Sequence, residues 1–275
     1  MNFAIFITSH NSPYVCHSYV SLKDAGYTGQ IYIVIDDADP QLDGYNRISN
    51  VLIFHKQDYV EKLDIGMSKE NPQLAAVLYA RAAVEDFAKD MNLDYFVVMD
   101  DDIYGFRYRY LKGDKLCSKP VENFDWLMYN YIEFMKESNS ICLSFANDGS
   151  FIGGASAIDK ILERRSCHTI FLRDTTKEFE WKFAVNEDYV SSLLYANKGV
   201  LMFTLPFVQR NISGMNDRKE GMHDLYESTT EFQRAFYNVI ACPWTCTVAE
   251  YKGHNVVRTN KKTAYPKIVS DKYRR

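Results

Sequence analysis

The chain has 275 residues, 47% hydrophobic and 15% aromatic, with a formal net charge of −4, enough to bury a large core as one α/β domain or two smaller ones. No uncharged apolar run reaches transmembrane length, so no membrane partner is expected, and "MNFAIFITSHN" lacks the basic leader of a signal peptide. Six cysteines without framework spacing read as reduced thiols of a cytoplasmic protein.

In chain order, "NFAIFIT" reads as a buried strand and "PYVCHSYVSLKDAG" as a helix opened by Pro13 and stopped near Gly26. "QIYIVID" is a second strand ending in Asp36 and Asp37, and "NVLIFH" a short third one. "PQLAAVLYARAAVEDFAKDMN", with Pro72 at its start, is the best helix in the chain, and the strand "DYFVVMD" follows it directly. "GFRYRYLKGDKLC" predicts a hairpin around Gly113, "FDWLMYNYIEFMKES" an amphipathic helix and "SICLSFAN" a strand. "VNEDYVSSLLYANKG" is a helix with acids in its first turn, "VLMFTLPF" a strand, and "STTEFQRAFYNVI" a helix with a Ser/Thr cap that leads to short strands and a basic tail. Strands alternating with helices argue for a mostly parallel sheet flanked by helices, whose ligands bind beyond the carboxyl ends of the strands. No repeat or linker divides the chain. The expectation is one domain over residues 1–251 and a basic C-terminal segment, 252–275, packed on it or extending from it. From Lys252 onward there are eight Lys/Arg against one acid, so the body before it is markedly acidic.

Three polar clusters fall at strand ends: "TSHN", "DD" and "DDD". The last, Asp100–Asp101–Asp102, is costly without a counter-charge, since neighbouring carboxylates about 6 Å apart repel by roughly 3 kcal/mol at an effective dielectric near 20. A hard divalent ion, Mg2+ or Mn2+, with phosphate oxygens beside it offsets that repulsion. Strand alternation sends Asp100 and Asp102 one way and Asp101 the other. An acidic turn with local backbone hydrogen bonds is the plain alternative.

The ordered set "FITSHN", "IVIDDADP", "VVMDDDI", "GGAS", "NEDYV" and "GMH" resembles the nucleotide-sugar glycosyltransferases of the GT-A class. The resemblance implies a GT-A-type, Rossmann-like fold and a metal-dependent, inverting transfer from a nucleotide sugar such as a UDP-sugar. Asp102, with Asp100, would then ligate the metal, and His223 would be a further ligand, with Asp217 or Asp224 as substitutes. Thr8, Asp36, Asp37, Arg81, Asp100 and Asp101 would line the donor pocket, as would Gly153 and Gly154, where a glycine turn lets backbone approach the sugar. Asp188 would be the base that takes the acceptor proton, with Glu187 positioning the acceptor or the helix. Each position has an ordinary reading beside it: an exposed helical arginine, a turn glycine, acids satisfying a helix dipole.

Within that class, "SGMNDRKEGMHDLYESTTEFQRAFYNVIACPW" resembles the C-terminal portion of phage DNA-base glycosyltransferases associated with TET/JBP oxygenases. It keeps Ser213, Gly214, Met215, Phe236, Tyr237, Val239 and Pro243, and departs at Arg234 and Ala235. The implied acceptor is the hydroxyl of a 5-hydroxymethylpyrimidine, 5-hydroxymethylcytosine above all, in DNA, and the implied location is the cytoplasm of an infected host. Arg107, Arg109, Arg258, Lys261, Lys262 and Lys267 are the candidate DNA contacts. The alternatives are a GT-A enzyme acting on a protein, glycan or small molecule, a nucleotidyltransferase, and a non-catalytic nucleic-acid-binding module. A zinc site at Cys242, Cys246 and His254 has irregular spacing and no fourth ligand.

Overall fold

The computed structural model describes residues 2–14, 16–45, 47–48, 50–66, 75–156, 167–212, 223–265 and 269–273. Pro72, Ser213 to Met215, Asp217 and Lys267 lie outside the described residues, as do the side chains of His223 and Asp224.

Nine strands form one sheet in the order β3-β2-β1-β4-β8-β7-β9-β5-β6. Its first four are β1 (Phe3–Thr8), β2 (Gln30–Asp36), β3 (Asn50–Phe54) and β4 (Tyr95–Asp100). They pair in parallel, with Thr8 opposite both Val34 and Asp100, so their carboxyl ends share one rim. Strand period decides the packing. Ile5 and Ile7 face helices α1 (His17–Asp24) and α5 (Phe124–Ser138). Ala4 and Phe6, on the other side, face α4 (Ala76–Asp90). Two short helices, α2 (Leu42–Tyr45) and α3 (Gln57–Val60), follow β2 and β3. Helix α1 starts four residues beyond Pro13, later than the sequence implies.

The second half is less regular. β5 (Ile103–Lys112) and β6 (Lys115–Pro120) make the expected hairpin and form one edge of the sheet. β7 (Cys142–Ala146) and β9 (Met202–Ile212) pair in parallel. Between β4 and β7 runs a strand that the sequence reading missed, β8 (Ile170–Asp174), antiparallel to both. Five residues ending in Arg173 and Asp174 carry little alternation. The strand is held by a fully buried Arg173, whose Nε donates to Glu85 at 3.0 Å and whose guanidinium lies 4.2 Å from the Phe179 ring centre. Despite β8 and β5, seven of the nine strands point one way, which is the mostly parallel α/β sheet expected.

β9 runs further than its sequence pattern. Its register against β7 shifts between Leu205 and Gln209, around Pro206, which has no N–H to give the ladder. Such irregularities re-aim side chains, and here the residues past the shift are Gln209 and Arg210.

Helix α6 (Glu187–Asn197) returns to the rim. Beyond it come α7 (His223–Ser228), α8 (Glu231–Ala241), the hairpin β10 (Cys246–Tyr251) and β11 (His254–Thr259), and the single turn α9 (Lys261–Ala264). Thr230 and Gln233 form a reciprocal capping box at the start of α8. Lys252 and Gly253 both have positive φ, 52° and 83°, the conformation a two-residue hairpin turn demands. The line between residues 251 and 252 therefore falls inside a hairpin. This unit packs on α6 through Leu193, Cys242, Cys246 and Ala264. Both cysteines are buried in that cluster, and His254 instead meets Glu231 at 2.9 Å, so the three do not form a zinc site.

Candidate active site

The rim of β1, β2 and β4 carries the acids, and each is held by a different neighbour. Asp36, at the end of β2, is buried and lies 3.1 Å from His10 Nδ1 and 3.5 Å from Lys56 Nζ. Burial alone would raise its pKa, but His10 and Lys56 bring it below the ordinary carboxylate value, while Asp36 in turn raises that of His10. Asp37 is more exposed and meets His55 at 3.0 Å. Thr8 is buried against the carbonyl of Met99.

β4 ends at Asp100, and Asp101 and Asp102 occupy the turn that follows. Asp101 accepts a hydrogen bond from Ser9 Oγ, whereas Asp100 accepts one from Arg81 Nη2 at 2.9 Å. Asp102 Oδ1 is buried. The turn is pinned from α1: Ser18 donates its N–H to the carbonyl of Asp101 and its hydroxyl to that of Asp100.

Arg81 is 3% exposed. It projects from α4 beneath the acids, bridges Asp100 and Glu187, and lies 4.8 Å from the Phe171 ring centre and 5.3 Å from that of Trp181. It thus fastens the β4 rim to the start of α6. Burial pushes Glu187 up to about 7, against the pull of Arg81. Its direct contact with a guanidinium that keeps its proton makes the ionised carboxylate the form this geometry fits.

Asp188, one step along α6, points elsewhere, as a turn of about 100° per residue requires. Its Oδ2 lies 3.0 Å from His168 Nδ1, and the His168 ring stacks on Tyr189 at 5.5 Å between centres. Burial acts to raise the Asp188 pKa, yet His168 and Arg81 hold it below the ordinary carboxylate range. Donation of Nδ1–H to Asp188 would leave Nε2 as the acceptor nitrogen of a neutral His168 ring. His168 lines a cavity of about 320 Å³ together with Asn147, Ser150 and Tyr189.

Gly153 and Gly154 follow the tight turn Asp148–Phe151, with φ of 104° and 64°. A Cβ on Gly154 would meet nothing within 4 Å, so glycine serves the left-handed backbone there rather than close packing. On β5, Arg107 bonds Ser118 at 3.2 Å and Arg109 lies 4.5 Å from the Phe151 ring centre.

A family model for TET-associated glycosyltransferases matches residues 3–212. The chain belongs to that family. It is therefore a glycosyltransferase, and the matched region ends with the last residue of β9. No curated protein sequence matches it. Among solved structures it is similar to glucosyl-3-phosphoglycerate synthase from Mycobacterium tuberculosis in complex with Mg2+ and uridine diphosphate, at 8% identity and a TM-score of 0.47, over 94% of this chain and 86% of that one. It is also similar to S. aureus TarS 1–349, at 13% identity and a TM-score of 0.38, over 76% and 60% of the two chains.

Two residues of this glycosyltransferase that the sequence reading passed over stand at the centre of the site. His168 was unmarked in sequence because it precedes the unread strand β8. Arg210, 5% exposed, donates from Nη2 to Thr169 at 2.6 Å, while its Nε and Nη1 are buried without hydrogen-bond partners. Burial lowers its pKa, and the carboxylates of Asp100, Asp102, Asp188 and Asp148 act to keep it charged. Among the described residues no three His, Cys, Asp or Glu side chains form a metal cluster. Mg2+ needs no such cluster: one or two carboxylates suffice, the rest coming from water and phosphate. The all-oxygen donors of Asp100 and Asp102 fit that pattern.

Proposed function

We propose that this protein is a metal-dependent, inverting glycosyltransferase. It moves a sugar from a nucleotide sugar, a UDP-sugar, to the hydroxyl of a 5-hydroxymethylpyrimidine in DNA, with 5-hydroxymethylcytosine as the first candidate. The observation that carries this reading is the Asp188–His168 pair, set at 3.0 Å with His168 lining a cavity, and Arg210 within reach of the charges of Asp100, Asp102 and Asp188. The TET association of the family supports a modified base as acceptor, because TET-type oxygenation supplies the hydroxymethyl group.

The nucleotide end lies over Thr8, Asp36 and Asp37. Asp102 and Asp100 would hold Mg2+ or Mn2+, and His223 remains the further ligand the resemblance implies. When bound, such an ion offsets charge on the departing diphosphate. Arg81 and Glu187 position the rim and α6 rather than touch the donor. Arg210, whose Nε and Nη1 are unspent, is the fixed cation for the phosphates. Gly153 and Gly154 let backbone approach the sugar.

The sequence resemblance assigns the base to Asp188; with His168 only 3.0 Å away the two act as a pair, His168 Nε2 taking the acceptor proton and Asp188 stabilising the resulting imidazolium. As the new bond from the acceptor oxygen to the anomeric carbon forms, the bond from that carbon to the diphosphate oxygen breaks, and the electron pair leaves with the nucleoside diphosphate. A positioned base of this kind is worth about 10²–10⁴-fold in rate. Mass spectrometry of nucleosides from hydroxymethylcytosine-containing DNA incubated with a panel of sugar nucleotides tests the reading. A hexose or pentose added to that nucleoside is the expected product. Transfer only to proteins, glycans or small molecules sinks the DNA acceptor.

A further inference from the structure

The cavity beside His168 has two walls of different origin. One comes from the turn after β7 and from α6, with Asn147, Ser150 and Tyr189. The other comes from β11 and α9, with Val257, Thr259, Lys261 and Tyr265, all beyond the stretch that the family model spans. The second wall is fastened to the first. Tyr189, adjacent to Asp188 in the chain, has its hydroxyl 2.5 Å from Thr259 Oγ1. The start of α9 is fixed in turn: Asn260 caps the N–H of Lys262 at 3.0 Å, and Thr245 bonds the carbonyl of Asn260 at 2.9 Å. Lys261 is thus held at the cavity wall with its ammonium exposed, and Arg258 and Lys262 are exposed near it in the chain.

The chemistry of the lining narrows the occupant. Asn147 and Ser150 bond each other at 2.9 Å across the turn, so the polar edge of that wall is the Asn147 amide, which suits a heterocycle. Tyr189 and Tyr265 offer aromatic surface, and Lys261 offers one positive charge at the wall. A volume of about 320 Å³ is at the small end for ligand pockets and admits a single base, whereas a duplex cannot enter it. Enzymes that act on a base at such depth take it out of the stack.

We infer that this cavity is the acceptor pocket, that it receives one pyrimidine turned out of a DNA strand with its 5-hydroxymethyl oxygen toward His168, and that Lys261 contacts a flanking phosphate. The hairpin and α9 are then part of the active site rather than an appended tail. This inference rests on the DNA-base acceptor proposed above.

The test uses the full chain and a duplex carrying one hydroxymethylcytosine with 2-aminopurine as its 3′ neighbour, read by 2-aminopurine emission and by anisotropy. Emission should rise several-fold on binding, and the single strand of the same sequence should bind at least tenfold more tightly than the duplex. Val257→Phe, which narrows the cavity, should remove the emission rise while the protein still binds DNA. Lys261→Ala, at an exposed position, should weaken single-strand binding several-fold and reduce the salt slope by about one. Duplex binding without an emission rise, or a rise that both variants leave intact, overturns the pocket alone. No binding to either DNA overturns the acceptor reading and the pocket with it.

Discussion

The N-terminal half of the sheet and the C-terminal unit solve opposite problems. In the first, four parallel strands bring acids to one rim over two large apolar clusters, and that rim is stabilised by basic side chains on either side of it. Arg81 does so from α4, His10 and Lys56 from the flank of β2. In the second, four buried residues and a few side-chain hydrogen bonds hold a hairpin and three short helices onto α6. A large core can carry buried charge at fixed positions. A small one depends on capping and turn chemistry, and can only lean on the site that the larger half has built. Chemistry should therefore fail most steeply when the rim is altered, and recognition when the appended unit is altered.

The largest effect should come at the boundary of the two regions. Asp188→Asn should lower kcat by about 10²–10⁴-fold with donor binding retained, as measured by titration calorimetry with the sugar nucleotide. Loss of donor binding instead would move Asp188 into the nucleotide pocket. Asp102→Ala should remove the dependence of turnover on Mn2+ or Mg2+ along with most of the activity. Retained metal dependence would refute its assignment.

Stability should separate the halves next. Arg81→Met leaves Glu187 buried without its partner and should cost about 3–5 kcal/mol in a denaturant melt. Thr230→Ala, which removes the capping box of α8, should cost about 1 kcal/mol. Equal costs at the two positions would erase the contrast drawn here. The smallest effect concerns acid. Because His168 and Arg81 hold Asp188 below the ordinary carboxylate range, its stabilisation is complete above that range and is lost as pH falls through the depressed value. Thermal melts of Asp188→Asn should accordingly fall less steeply than those of the parent chain on the acid side.

The parallel half of the fold was legible in the sequence because its signals are local. Apolar runs such as "FAIFIT" and "YFVVMD" end abruptly in polar residues, and a helix as strong as Ala76–Asp90 cannot be misplaced. β8 was not legible. Its five residues acquire strand geometry only by filling the gap between β4 and β7, and its buried arginine is tolerable only because Glu85 comes from a distant helix. Non-local features also hid the two central site residues. His168 precedes β8, and Arg210 follows a register shift that no local pattern announces beyond Pro206. Arg81 shows the opposite case: its place in sequence marked it, but only the packing reveals that it is a brace under the acids.

The bond from Tyr189 to Thr259 has a mechanical corollary. Because the hydroxyl sits on the residue next to Asp188 and its partner on β11, the hairpin and the start of α6 share one attachment. A protease nick at the Lys252–Gly253 corner would loosen that anchor and let α6 drift, so cleavage far from any reacting atom would silence turnover together with substrate capture.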